Sequence, residues 1–224
     1  MNITILGTGA YGLALSSMFL ENKCNVTMWT PIEDEYQMLI KERVNKKVLP
    51  EYVISKEINI TTNLENAING ATIIVIAIPV KFVTNVIKDV SKFYKKKQHI
   101  CIASKGIEQG SCLFIANIIR RYIKTKKICV ISGGAFAVDI IKKVPIGLSL
   151  ASSNKSTISI MKKTLENNKS EIGIFRKSHI GFKIVVGFNT TGYNIYFLNV
   201  NALYSSAKMC VSPVLLCKQI AHSV

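Results

Sequence analysis

Six residues near the start of the chain, Gly7-Thr8-Gly9-Ala10-Tyr11-Gly12, carry its strongest chemical signal. A pyrophosphate held by backbone needs three things: a tight turn, a place where main chain approaches the anion with no side chain between, and a helix packed close on the preceding strand. Glycines at the first, third and sixth positions of the hexapeptide meet these needs, and a helix N-terminus adds free N–H groups and the positive end of a dipole. The same spacing in isolation is weak, since turn glycines also occur without ligands. Here it follows one β-branched run and opens a helical pattern, which is the context the chemistry requires.

Further candidates sit where other strands end. Lys105, in Ser104-Lys105-Gly106-Ile107-Glu108, leaves an apolar run at a point where a cation could hold a phosphate or a substrate oxygen; its simpler reading is an ordinary loop lysine. In Ser132-Gly133-Gly134-Ala135-Phe136-Ala137, small residues would let backbone approach a substrate closely. After the second apolar run, where an acid would bind an adenosine ribose or an arginine its 2′-phosphate, the chain reads Trp29-Thr30-Pro31. Glu33 and Asp34 come slightly late, and Arg43, Lys46 and Lys47 lie further on, so the choice between NAD and NADP stays open.

These residues need strands and helices to position them. β-branched runs predict strands at 2–6, 25–29, 58–62, 72–78, 99–104, 127–132, 146–151 and an edge strand at 171–175. Helical spacing predicts helices at 11–22, 32–45, 81–94, 111–123 and 155–167, with a short helical turn at 64–69 closed by Gly70. The run at 72–78 is apolar throughout, as a central parallel strand covered on both faces must be. Strands alternating with helices at this interval predict an α/β fold: a Rossmann-like, doubly wound, mainly parallel sheet.

Composition narrows the class. The chain has 224 residues, 49% of them hydrophobic, enough for one well-cored domain and an appendage. The net charge of +16 raises nucleic acid as a partner, yet no aromatic-interleaved basic patch or zinc-finger spacing accompanies it, so no nucleic acid is expected; the charge fits small phosphorylated ligands. Cys24, Cys101, Cys112, Cys129, Cys210 and Cys217 are far apart without ligand spacing, and read as reduced thiols of a cytoplasmic protein. No metal site is expected, and His99, His179 and His222 receive no role. The apolar stretches are too short or too interrupted to insert in a membrane. All 13 acidic residues fall before Ile172, and beyond that point the pattern loses its periodicity.

Taken together with Val26-Thr27-Met28-Trp29, Arg43-Val44-Asn45 and Leu49-Pro50, the three motifs above resemble the bacterial NAD(P)-dependent glycerol-3-phosphate dehydrogenases, in order and spacing, over roughly the first 180 residues. The resemblance implies an oxidoreductase of phospholipid synthesis: reversible hydride transfer between NAD or NADP and dihydroxyacetone phosphate, giving sn-glycerol 3-phosphate. By position it implies that Ala10, Tyr11, Lys105 and Ala137 touch the dinucleotide beside Gly7, Gly9 and Gly12, and that Lys105, Gly133 and Ala135 contact the substrate. A homodimer is compatible with it.

The departures are specific. Gly134 stands where the family has proline, Ala135 where it has a hydroxyl residue, and Pro31 near the place of an arginine. Asn189 falls where the resemblance places the general acid–base lysine, and an amide cannot deliver a proton. The glycine-rich stretch and the Arg-Asn pair that grips substrate phosphate have no counterpart. The expectation is therefore an NAD(P)-binding domain at 1–180 and an incomplete or degraded start of a helical substrate domain at 181–224, from decay or truncation, with a frameshift near 185 as one origin. On this expectation the chain carries no catalytic residue; the alternatives are a non-catalytic dinucleotide-binding remnant and a basic nucleic-acid-interacting protein.

Overall fold

Isoleucine and valine concentrated in short runs, each ended by glycine, proline or a polar turn, give this chain its strands. The computed structural model describes residues 1–133 and 135–175 and, beyond them, only the backbone of two short paired strands. In chain order the elements are β1 (Asn2–Leu6), α1 (Ala10–Glu21), β2 (Asn25–Trp29), α2 (Glu33–Glu42), β3 (Asn59–Thr61), α3 (Leu64–Ile68), β4 (Ile73–Ile76) and α4 (Val80–Phe93). Then follow β5 (His99–Ile102), α5 (Ile115–Tyr122), β6 (Ile128–Ser132), α6 (Ala137–Ile141), β7 (Ile146–Ala151), α7 (Lys155–Leu165) and β8 (Ser170–Phe175). Strands β9 (Ile184–Val186) and β10 (Tyr196–Leu198) form a separate antiparallel pair. The rest of 181–224, with Asn189, lies outside the described residues, as does Gly134.

The main sheet has the order β3-β2-β1-β4-β5-β6-β7-β8. From β1 the chain winds outward through β2 and β3, then crosses back to add β4, β5 and β6 on the other side, all in parallel. The switch point therefore lies between β1 and β4, the place where open α/β sheets collect their ligands. This is the expected Rossmann-like, doubly wound architecture.

Alternation along each strand sends neighbouring side chains to opposite faces. Ile73 and Val75 of β4 join Leu13, Phe19, Met161 and Leu165 from α1 and α7 on one face; Ile74 and Ile76 join Val83, Ile87, Val90 and Ile118 from α4 and α5 on the other. All four β4 residues are buried, which explains why its sequence shows no polar alternation.

Three local features differ from the sequence reading. Arg43 takes a left-handed conformation (φ 57°) and stops α2 at Glu42, short of the expected residue 45. The segment 111–114 is not helical; Glu108 N–H donates to Leu113 C=O and Ile107 bridges Phe114, so α5 starts only at Ile115. Helix α6 was not anticipated, and it decides the topology beyond it. Its five residues rise only about 7.5 Å, too little to carry the chain back along β6. Strand β7 therefore starts at the edge where β6 ends and runs antiparallel to it, after which α7 returns the chain to a parallel β8.

Candidate functional site

The hexapeptide 7–12 is the β1–α1 junction, and its three glycines do three different jobs. Gly7 has φ +114°, and its N–H donates to Trp29 C=O (2.9 Å). A Cβ there would lie 2.5 Å from Ala77 O and 2.9 Å from the Ile78 methyl, so the turn closes against the end of β4 only because the side chain is absent. Gly12, one turn into α1, has no room either: its Cβ would meet Gly7 O at 2.6 Å. Gly9 differs. It is the N-cap residue of α1 with ordinary extended angles (φ −68°, ψ 171°), and a Cβ built on it would meet no atom within 4 Å. The space in front of Gly9 is open, while the space behind Gly7 and Gly12 is filled.

Helix α1 begins at this opening. No side chain caps it and no acidic residue occupies its first turn. The amides of a first helical turn have no intrahelical acceptor, and the macrodipole places partial positive charge there. An anion is the natural partner for such a terminus.

The other sequence-derived candidates end at the same sheet edge, after β5 and β6. Ser104, directly after β5, donates its hydroxyl to Ile78 C=O (2.6 Å) and Ile76 C=O (3.1 Å), which ties the β5 exit to the β4 exit. That tie sets the path of the next residue. The Lys105 ammonium sits 5.9 Å from the centroid of the Tyr11 ring, so residues almost a hundred positions apart meet across the switch point. Burial pushes the Tyr11 phenol up to about 12, with Cys101 adding to the rise, so the ring stays neutral and presents its face to the cation. Glu108, further along this loop, accepts hydrogen bonds from the hydroxyls of Ser111 and Thr84. These bonds hold its carboxyl below the usual range and pin the loop to α4.

The β6 exit is less accommodating. At Gly133 a Cβ would lie 2.7 Å from Gly147 O, so the missing side chain makes room for β7. Ala135 is buried. Ala137 opens α6 and packs, together with Ala10 and Tyr11, against the α1 side of the core. The Phe136 N–H donates to the Asp139 carboxylate (3.2 Å), which caps this short helix with its own acid. The structure thus gathers Gly9, Ala10, Tyr11 and Lys105 at one opening, brings Ala137 alongside through α6, and turns the small size of Gly133 inward.

Two partners received no role from the sequence: Glu35 was not named, and Asn45 stood only within the Arg43-Val44-Asn45 match. Asn45 donates to Thr8 C=O (3.0 Å), and Glu35 accepts from both Asn45 (3.0 Å) and Thr30 (2.7 Å). Beyond α2, Arg43 donates to Ile58 C=O and Lys56 C=O, just before β3, and Lys46 pairs with Glu42 at 2.6 Å. Among the described residues no group of His, Cys, Asp and Glu could hold a metal ion.

A doubly wound sheet whose glycine turn closes β1 against β4, with an uncapped helix opening behind it, defines a Rossmann-type domain. Residues 2–158 match the family model described as the NAD-dependent glycerol-3-phosphate dehydrogenase N-terminus. The chain belongs to that family. The glycerol-3-phosphate dehydrogenase [NAD(P)+] of Fusobacterium nucleatum is 30% identical over 157 residues, which cover 69% of this chain and 47% of that protein. The Dehalococcoides mccartyi protein of the same description is 32% identical over 159 residues, or 69% of this chain and 44% of that one. This chain thus spans about half the length of the curated relatives it matches. In fold it is similar to the glycerol-3-phosphate dehydrogenase of Coxiella burnetii, with a TM-score of 0.74 and 24% identity over 78% of this chain and 53% of that one. The Plasmodium falciparum enzyme gives 0.72 at 17% identity, over 80% and 53%.

Proposed function

We propose that residues 1–180 form a site for NAD or NADP, and that the chain binds this cofactor without itself turning over dihydroxyacetone phosphate at an enzyme's rate. The observation that carries the first half is the open space at Gly9, set at the bare N-terminus of α1 beside a closed Gly7 and Gly12. A pyrophosphate fits there on charge and on access. On this reading Gly7, Gly9 and Gly12 shape the turn, the first-turn amides from Ala10 and Tyr11 onward meet the anion, and Ala137 borders the cofactor. Lys105, over the Tyr11 ring, carries the positive charge of the site and faces cofactor and substrate alike. Gly133 and Ala135 offer a substrate their backbone only. When bound, the nicotinamide supplies hydride transfer, which the family is named for with glycerol 3-phosphate.

The second half rests on Asn189, which stands where the resemblance places the acid–base lysine. Loss of general acid–base help lowers a rate by about a hundredfold to ten-thousandfold. Purified protein titrated with NADH and NADPH should show saturable nicotinamide fluorescence changes. Addition of dihydroxyacetone phosphate should leave NADH absorbance unchanged on the time scale of an ordinary dehydrogenase, whose kcat is about 1–1000 per second. Absence of binding overturns the first half; rapid NADH oxidation overturns the second.

The net charge of +16 favours small phosphorylated ligands, with a basic nucleic-acid-interacting protein as the alternative reading, which filter binding at two salt concentrations tests. Lysines such as Lys46, Lys92, Lys143 and Lys162 are paired with Glu42, Asp89, Glu21 and Glu166 on separate parts of the surface.

A further inference from the structure

Beneath the glycine turn runs a chain of buried and half-buried hydrogen bonds: the Thr30 hydroxyl donates to Glu35, and the Asn45 amide donates both to Glu35 and to the carbonyl of Thr8. Thr8, Thr30 and Asn45 are each at most 3% exposed. The orientation of the Asn45 amide is forced. Its NH2 faces two acceptors, Thr8 C=O and the Glu35 carboxylate, while its oxygen accepts the Lys47 N–H (3.2 Å). Both of its N–H donors are used, and its oxygen accepts one bond.

Thr8 is the residue between the first two glycines of the turn, and its carbonyl is fixed from below. No peptide bond in the described structure is cis. In a trans peptide the N–H points opposite to the C=O. With the Thr8 carbonyl held toward Asn45, the Gly9 N–H is turned to the other side of the Thr8–Gly9 plane. Were the plane to flip, a carbonyl oxygen would take the place of that donor, and an anion would meet a partial negative charge.

We propose that Asn45, held in place by Glu35, is a positioning residue that sets the Thr8–Gly9 peptide plane so that the Gly9 amide is available to the pyrophosphate. It touches no cofactor itself; it acts through the backbone of the turn. The same geometry gives Glu35 a structural employment under the turn. Its two oxygens are spent on Thr30 and Asn45. This inference rests on the cofactor reading above.

The test uses the full chain and three ligands: NADH and ADP, which carry a pyrophosphate, and adenosine, which does not. In Asn45→Asp an acceptor faces both Thr8 C=O and Glu35, so affinity for NADH and ADP should fall by about tenfold or more, the worth of a hydrogen bond to a charged group. Adenosine affinity should change by less than about twofold. The double variant Asn45→Asp/Glu35→Gln separates folding from positioning. The new Gln amide can donate to the new Asp, so the melting temperature should recover, while Thr8 C=O still lacks its donor and the loss for NADH and ADP should persist. Equal loss for all three ligands, or recovery of ADP affinity together with stability, overturns the proposal. The Gly9 amide resonance in ligand-free protein is a readout that does not need the cofactor. It should shift in both variants, and an unshifted Gly9 refutes the proposal. Wild-type protein that ignores NADH refutes the cofactor reading alone.

Discussion

Two turns at the same edge of one sheet are both rich in glycine, and the structure uses them in opposite ways. After β1, Gly9 has nothing within 4 Å of where its Cβ would be, and a helix of 12 residues begins behind it without a cap. After β6, Gly133 is backed by the Gly147 carbonyl at 2.7 Å, and a helix of five residues begins with its amide already bound by Asp139. Composition makes the two turns look equivalent as places where backbone could approach a ligand. What separates them is the neighbour: open space in one case, strand β7 in the other. A glycine thus signals a missing side chain, and only the surrounding fold says whether a ligand or another strand takes up the vacancy.

Substitutions can break or sharpen that contrast. The largest effect is expected at Gly7, whose Cβ would press on Ala77 O at 2.5 Å in a backbone conformation that side chains disfavour. Gly7→Ala should cost about 3–5 kcal/mol from overpacking and strain together, seen as a fall of roughly 10 °C in melting temperature. Gly133→Ala comes next, at about 1–3 kcal/mol, with NADH affinity in the folded fraction changed by less than about threefold. If Gly133→Ala weakens NADH binding as much as Gly9→Ala does, the two turns are not different in the way described.

Gly9→Ala reverses the pattern. Its angles suit alanine and its Cβ meets nothing, so stability should stay level or rise by a few tenths of a kcal/mol through a less flexible unfolded chain. NADH affinity should nevertheless drop by about tenfold, because the methyl stands where the pyrophosphate must approach; fluorescence titration beside a melting curve checks both. Lys105→Ala is smaller still. Removal of the charge from above Tyr11 should weaken NADH binding by about threefold through one lost attraction, and the lost cation–π contact should cost at most about 1 kcal/mol of stability.

A last prediction concerns the opposite edge of the sheet. Burial holds the His99 imidazole below its ordinary value, and the nearby Lys127 adds to this, while its Nδ1 lies 2.9 Å from Thr157 Oγ1. The unfolded chain then takes up a proton before the folded one does. Stability from this residue is complete above the unfolded value near 6.5, and it is lost as pH falls below that value toward the folded one. His99→Asn should flatten that part of a denaturation-against-pH series, with no change in NADH affinity. A slope left intact would remove His99 as its source.

Much of this molecule was legible in its residues. The short apolar runs gave nearly every strand of the main sheet, and the glycine spacing between β1 and a helical pattern placed the candidate site at the β1–α1 junction. Both are local codes: alternation or its absence reports burial, and a glycine turn reports a backbone constraint a few residues wide. The meeting of Lys105 with Tyr11 could not be read this way, because it depends on β4 and β5 being laid beside β1 across the switch point. Nor could Asn45, whose role arises only when Arg43 ends α2 in a left-handed turn and the chain passes under Thr8.

Sequence alone determined the succession of the main-sheet strands and of every described helix but α6, and it marked the glycine turn after β1, since each depends on contacts within a few residues. The tertiary structure decided which glycine faces space, which carbonyl is tethered, and that β7 runs against β6. Those outcomes depend on how far a helix can carry the chain and on which distant backbone arrives next to a given Cα.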